Sequence, residues 1–251
     1  MRKYAIITLS MFMETPTKSK QYKNKKQKKR LKPLQIKALE AMIELYGDTK
    51  IELDYESDFQ LLIAVILSAQ TTDKQVNKVT PALFAKVREP EDMKKISLEE
   101  IENHIQYINF FRNKSRFVKE TGILLADKYG GKIPNNLQEM QKLPGVGIKT
   151  AKVVLSVLYD MPYIGVDTHI HRVANRMKIV KTKTPEQTDK ILDALLPIDL
   201  KKRIHHPMVL FGRYHCQAKN PACKDWTEKG IINYISSLGD SARPTPKKKK
   251  K

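Results

Sequence analysis

Apolar side chains recur at three- and four-residue spacing along almost the whole of this chain, and that period excludes most folds at once. It runs through Leu34–Leu45, Leu61–Ala69, Val76–Val87, Ile101–Ile108, Phe117–Lys128, Ile148–Leu158, Ile170–Met177 and Thr188–Leu196, each of which would form a helix with one apolar stripe. Strand-like alternation is essentially missing, so the predicted fold class is all-α. Phe59–Ala69 is apolar on every side, which places that helix in the middle of a bundle. Turn chemistry breaks the helices at Tyr46-Gly47-Asp48, Tyr129-Gly130-Gly131, Leu143-Pro144-Gly145-Val146-Gly147 and Asp160-Met161-Pro162.

The hydrophobic share of 41% over 251 residues is enough to bury one large core or two small ones. The net charge of +20 is concentrated at the ends: residues 1–32 carry eleven Lys/Arg against one acid and residues 243–251 carry six, leaving +4 for residues 33–242. Nine Lys/Arg and no acid lie between Lys18 and Lys32, so the expectation is a disordered basic arm over 1–32 and a basic tail over 242–251. Such arms hold phosphates by releasing counterions; the plainer reading is a solubility device. The opening MRKYAIITLSMFM superficially resembles a signal peptide but no small-residue cleavage site follows, and a start at Met11 or Met13 accounts for it equally. Two cysteines make no disulfide framework, and nothing approaches a membrane helix. The chain is therefore expected to be cytoplasmic, with no membrane partner.

Chemistry concentrates in Gln141–Asp167. Asn135–Lys142 reads as a short helix and Ile148–Tyr159 as a longer one, so LPGVG is a tight hairpin between them. Gly145, Val146 and Gly147 would present bare backbone, and with Thr150 they stand where a helix start binds phosphate. Lys149 lies in the first turn, where the positive end of the helix dipole opposes a cation and favours the neutral, nucleophilic amine. The alternative is a lysine that stays charged and holds phosphate. Asp167 stands before Thr168-His169-Ile170-His171-Arg172, a helix N-cap position, yet Ile164, Gly165 and Val166 before it point to a partly buried carboxylate needing a partner.

LPGVGIKTAKVV, VDTHIHRVANR and LLIAVILSAQTTD together resemble the endonuclease III family of the helix-hairpin-helix DNA glycosylase superfamily, from about Leu34 to Cys223. The resemblance implies a base-excision-repair enzyme that removes oxidised pyrimidines and nicks the strand as an AP lyase. Its substrate would be double-stranded DNA carrying damaged bases or abasic sites, bound by a monomer associated with the bacterial nucleoid. It puts Lys149 in the role of nucleophile and Asp167 in that of its carboxylate partner. It puts Gln70 in the gap left by a flipped base, Phe110 as a wedge between bases, and His169 near phosphate or base. For Gln70 a polar cap on the buried helix is the alternative, for Phe110 a core aromatic, for His169 a structural role. The loop around Phe110 departs from the family's glycine-containing version. Two other functions stay open: a non-catalytic DNA-binding protein that uses the hairpin as a phosphate clamp, and a mismatch-directed glycosylase. Lys149 and Asp167 together count against the first, and Lys149 counts against the second.

The family commonly carries a [4Fe–4S] cluster on cysteines spaced C-x6-C-x2-C-x5-C. Here Cys216 and Cys223 hold the first two positions, and Trp226 and Ile232 stand at the others. Two thiolates cannot hold such a cluster, so no cofactor and no metal are expected. A zinc site drawing on Cys216, Cys223 and His215 or His206 matches no usual spacing. Trp226, Ile231, Ile232, Tyr234 and Ile235 are candidates to pack in its place. The expected architecture is two helical domains, 57–161 with the hairpin and 33–56 plus 162–241, with the active site in the cleft between them.

Overall fold

The computed structural model describes residues 30–47, 49 and 51–238. The expected arms over 1–32 and 242–251 lie outside the described residues except for 30–32, as do the signal-like start and the alternative start methionines. Among the described residues all regular structure is helical, as the apolar period predicts. In order the α-helices are α1 Pro33–Tyr46, α2 Asp58–Leu67, α3 Asp73–Lys86, α4 Leu98–Ile105, α5 Phe111–Tyr129 and α6 Leu137–Met140. They continue as α7 Ile148–Tyr159, α8 Thr168–Arg176, α9 Pro185–Leu195, α10 Ile198–Tyr214 and α11 Glu228–Leu238. A 3-10 turn at Pro90–Lys94 precedes α4.

Local chemistry starts and stops most of these helices. Ser57, Thr72, Ser97, Asn136 and Thr184 each accept a hydrogen bond from a backbone N–H in the first turn of the helix they precede, satisfying donors the helix leaves open. Pro33 and Pro185 occupy first-turn positions, where their missing N–H costs nothing. Phe59–Leu67 is buried along its whole length, which explains why that stretch shows no polar face.

Two hydrophobic cores result. One joins α2 to α7, from Leu53 to Leu155. The other joins α1 to α8, α9, α10 and α11, with Ala38–Tyr46 packed among residues 164–235. The first helix thus packs with the last ones: α10 lies on α1 and α8, and α11 on α1. The chain passes from the first core to the second after Tyr163, and residues 51–54 line the same cleft as Gly165–His169. No helix among the described residues is long and apolar enough to cross a membrane.

Two helices carry no clear sequence signal. α10 includes His205, His206 and Pro207, and an interior proline removes a backbone donor and crowds the preceding turn. Packing of Ile204, Met208 and Phe211, each at most 1% exposed, stabilises it where local propensity does not. In α11 the apolar spacing is short, but Ile231 and Ile235 are buried in the second core, with Ile232 and Tyr234 packed against it.

Candidate active site

The hairpin between α6 and α7 places a bare backbone in front of α7. Gly145 has φ +75°, and a Cβ added there would stand 2.9 Å from Phe117 Cβ, so backbone angle and packing both select glycine. The Thr121 hydroxyl donates to the Pro144 carbonyl at 2.8 Å and ties the hairpin to α5. The Val146 side chain is buried in the first core, so its backbone is the part the hairpin presents to a ligand. Gly147 caps α7 without a side chain, and open space lies where its Cβ would be. Free N–H groups therefore face outwards at this helix start, the arrangement that favours an anion.

Lys149 is exposed in the first turn of α7. The segment Ile164-Gly165-Val166-Asp167 crosses that turn closely: a Cβ on Gly165 would lie 2.6 Å from Val153 Cγ2, 3.1 Å from the Lys149 carbonyl oxygen and 3.5 Å from Lys149 Cγ. Only glycine allows this approach, and it brings Asp167, two residues on, to the same cleft as Lys149. Asp167 caps α8 through Oδ1, which accepts from the His169 and Ile170 N–H groups, both at 2.9 Å. Neither bond uses Oδ2.

The other wall of the cleft is α10. His205 is buried, its Nδ1 has no hydrogen-bond partner among the described residues, and its ring meets that of His206 edge-on at 4.8 Å between centroids. Burial pushes the His205 imidazole well below its ordinary pKa, with the charges of His206 and Lys149 acting in the same direction. His206 is pushed down to about 4 by burial, against the pull of Asp73. Burial also lowers His169, although Asp167 opposes it. The shifts favour the neutral ring in all three, so the positive charge of the cleft rests with its lysines and Arg213.

Ion pairs between distant segments hold the walls. Arg213 of α10 bridges Glu52 and Asp73, the latter at 2.9 Å, and the Tyr214 hydroxyl donates to Glu52 at 2.9 Å. Lys152 of α7, 6% exposed, donates to Asp189 of α9 at 2.6 Å.

The cleft collects Gln70, Lys149, Thr150, Asp167 and His169, whereas Gly145, Val146, Gly147 and Phe110 lie outside it. Gln70 lies two residues past Ser68, the C-cap of α2, and is exposed. Phe110 is 60% exposed, so it is not the core aromatic that the sequence left open. His169 Nδ1 faces the Arg172 guanidinium at 3.1 Å, while His171 turns to the Thr188 hydroxyl at 2.7 Å. Sequence reasoning missed His205, Glu52, Asp73 and the Lys152–Asp189 pair; the consecutive His205 and His206 were the one local signal available.

A fold of two helical cores with a hairpin-borne amine and a carboxylate at the cleft between them is that of a base-excision-repair protein. The family model for HhH-GPD superfamily base excision DNA repair proteins matches residues 63–197. Endonuclease III of Bacillus subtilis is 40% identical over 197 residues, covering 76% of this chain and 90% of that protein. Among solved structures, a trapped endonuclease III–DNA covalent intermediate aligns at a TM-score of 0.72 and 44% identity, over 77% of this chain and 92% of the other. A non-covalent endonuclease III–DNA complex aligns at 0.74 and 40%, over 83% and 98%. The chain belongs to the endonuclease III family of the HhH-GPD superfamily, and it is a base-excision-repair DNA glycosylase.

The [4Fe–4S] cluster that the resemblance implies does not fit the residues present. Cys216 and Cys223 are buried, and burial raises both thiols above their ordinary pKa, which disfavours the thiolates a cluster needs. The Cys216 Sγ accepts from Arg176 at 3.4 Å and the Cys223 thiol donates to the Asp225 carbonyl at 3.1 Å. At the third position the Trp226 ring lies under the Arg176 guanidinium at 4.9 Å, and at the fourth Ile232 packs on the second core. Arg172 and Arg176 of α8 also bond the carbonyls of Gly212, Cys216, Gln217 and Ala218. Two arginines and a tryptophan thus organise this loop.

His215 Nδ1 is engaged with the Tyr234 hydroxyl at 2.9 Å, and no cluster of three metal-ligating side chains occurs among the described residues. Protein purified without oxygen should carry no stoichiometric iron by metal analysis, and Cys216→Ala with Cys223→Ala should keep its activity. Trp226 is only partly buried, so Trp226→Ala should cost about 2 kcal/mol in urea unfolding, less than the ~3–5 kcal/mol of a fully buried tryptophan.

Proposed function

We propose that this chain is a bifunctional DNA glycosylase and AP lyase that removes oxidised pyrimidines, with Lys149 as nucleophile and Asp167 as its carboxylate partner. The observation that carries this reading is the close passage of Gly165 over the first turn of α7, which puts Lys149 and Asp167 on one cleft. The Lys149 amine attacks C1′ of a flipped nucleotide, the base leaves with its bonding electrons, and Asp167 offsets the positive charge that develops on the sugar. The bound amine loses one proton, the C1′–O4′ bond breaks as O4′ takes up a proton, and the protonated imine that results acidifies C2′. Removal of a C2′ proton then expels the 3′ phosphate and cuts the strand. The neutral rings of His169, His205 and His206 line the pocket without adding charge that would repel the attacking amine's cationic products.

In this reading the two cores are two domains, 57–161 and 33–56 plus 162–241, and Gly145, Gly147, the Val146 backbone and Thr150 hold the lesion strand's phosphates. Gln70 fills the vacated gap and Phe110 wedges between bases. The protein acts as a monomer in the cytoplasm, on the nucleoid, without a cofactor. Incubation with duplexes that each carry one defined lesion tests the assignment: oxidised pyrimidines and abasic sites should be cut, and activity confined to mismatched adenine or thymine would overturn it.

The terminal segments act through charge. Residues 1–32 contribute +10 and residues 243–251 contribute +6. Deleting both should weaken binding to damaged and undamaged duplex by similar factors and flatten the slope of affinity against salt, because phosphate contacts carry no lesion information. An unchanged slope would reduce them to solubility devices.

A further inference from the structure

The loop before α3 and the loop before α5 are bound together by side chains of Asn109 in the second loop, Gln75 on α3 and Lys114 on α5. Asn109 Nδ2 donates to the Gln70 carbonyl at 2.7 Å and Gln75 Nε2 to the Tyr107 carbonyl at 3.1 Å. Lys114, 5% exposed, donates to the Leu67 carbonyl and the Thr71 hydroxyl, both at 2.8 Å. Burial pushes this amine down to about 8, so the molecule bears the cost of a desolvated lysine to hold a helix end and the loop after it.

What these bonds hold is strained and exposed. Gln70 and Phe110 have φ of 55° and 58°, left-handed values that a residue with a side chain adopts only at a cost. At the tip, Phe110 is 60% exposed and Tyr107, three residues earlier, is 74% exposed. Single exposed aromatics are ordinary. Two on one short loop, fixed to a neighbouring loop that reaches the cleft, form a rigid surface with nothing packed on it. Gln70 lines the cleft and Phe110 does not, so the surface starts at the rim and extends away from the pocket that takes the flipped nucleotide. The bases that meet it are those left in the duplex. Aromatic faces accept any base by stacking, and tyrosine has few rotamers to lose.

We infer that Tyr107 is a second stacking residue, which with Phe110 forms a platform for bases of the strand opposite the lesion, and that Asn109 and Lys114 are positioning residues that keep this platform in register with Gln70. The inference rests on the glycosylase reading, since it requires a duplex opened at the cleft.

The test uses a duplex bearing a tetrahydrofuran abasic analogue, with 2-aminopurine placed in the complementary strand opposite the analogue or at either neighbouring position. Binding of the full chain should change the fluorescence at one or more of these positions. Tyr107→Ala should abolish the change at one of them and weaken duplex binding about five- to tenfold, within the range a stacked base contributes. Tyr107→Phe should restore both. Asn109 is exposed, so Asn109→Ala should reproduce the spectral loss at an unchanged melting temperature, while Lys114→Met probes the buried tie. A Tyr107→Ala protein with the wild-type fluorescence response at all three positions overturns the inference, whatever its affinity. Wild-type protein that is trapped on abasic DNA by borohydride yet gives no 2-aminopurine response overturns it while leaving the glycosylase reading intact; protein that is never trapped overturns that reading first.

Discussion

Lys149→Gln should bind an abasic or oxidised-pyrimidine duplex yet never become covalently joined to it in borohydride, and strand cutting should fall by at least about a thousandfold. Glutamine keeps the length and helix propensity of lysine, and Lys149 is exposed, so the fold should be unaffected. What is lost is the lone pair that forms the imine. Lys149→Arg makes the complementary case, since it keeps a cation for phosphate but not a nucleophile, and it should be as inactive as Lys149→Gln. An active Lys149→Arg protein would return Lys149 to the role of a phosphate contact. Wild-type protein that releases base without ever being trapped would mark a glycosylase that uses water.

Asp167 allows the two jobs of one carboxylate to be separated. Its Oδ1 caps α8 with two bonds of 2.9 Å in which Oδ2 takes no part, and the residue lines the cleft. Asparagine caps a helix as well as aspartate does, so Asp167→Asn should keep its melting temperature while the rate falls about 100- to 1000-fold for want of a negative charge beside the sugar. Asp167→Ala should lose the charge and the cap together, and so be destabilised by about 1 kcal/mol as well as slow. Near-normal cutting by Asp167→Asn would mean that the residue is a helix cap and nothing more.

The same residue marks the limit of what can be read from the chain. That Asp167 precedes a helix is a local fact, visible in the order of residues, and so is the place of Lys149 behind Pro144, Gly145 and Gly147. Their approach to one cleft depends on Gly165 lying against Val153 and the Lys149 backbone, a contact with no motif of its own. α10 is the plainest loss: Pro207 and the paired histidines disguise a helix that provides one wall of the cleft. Phe110 could be read as core or wedge from its neighbours, and only its exposure separates the two.

Sequence by itself determined the helical class, the hairpin and the position of the amine at a helix start, because helix period, proline and glycine act over a few residues. It also determined that two cluster positions lack thiols. Tertiary structure alone decided which side chains share the cleft and what holds its walls. Arg213 meets Glu52 across 161 residues of chain and Lys152 meets Asp189 across 37. Arg176 of α8 likewise reaches Trp226 in the loop before α11. Pairings of that kind are set by how two cores close on each other, and a chain carries no local pattern for them.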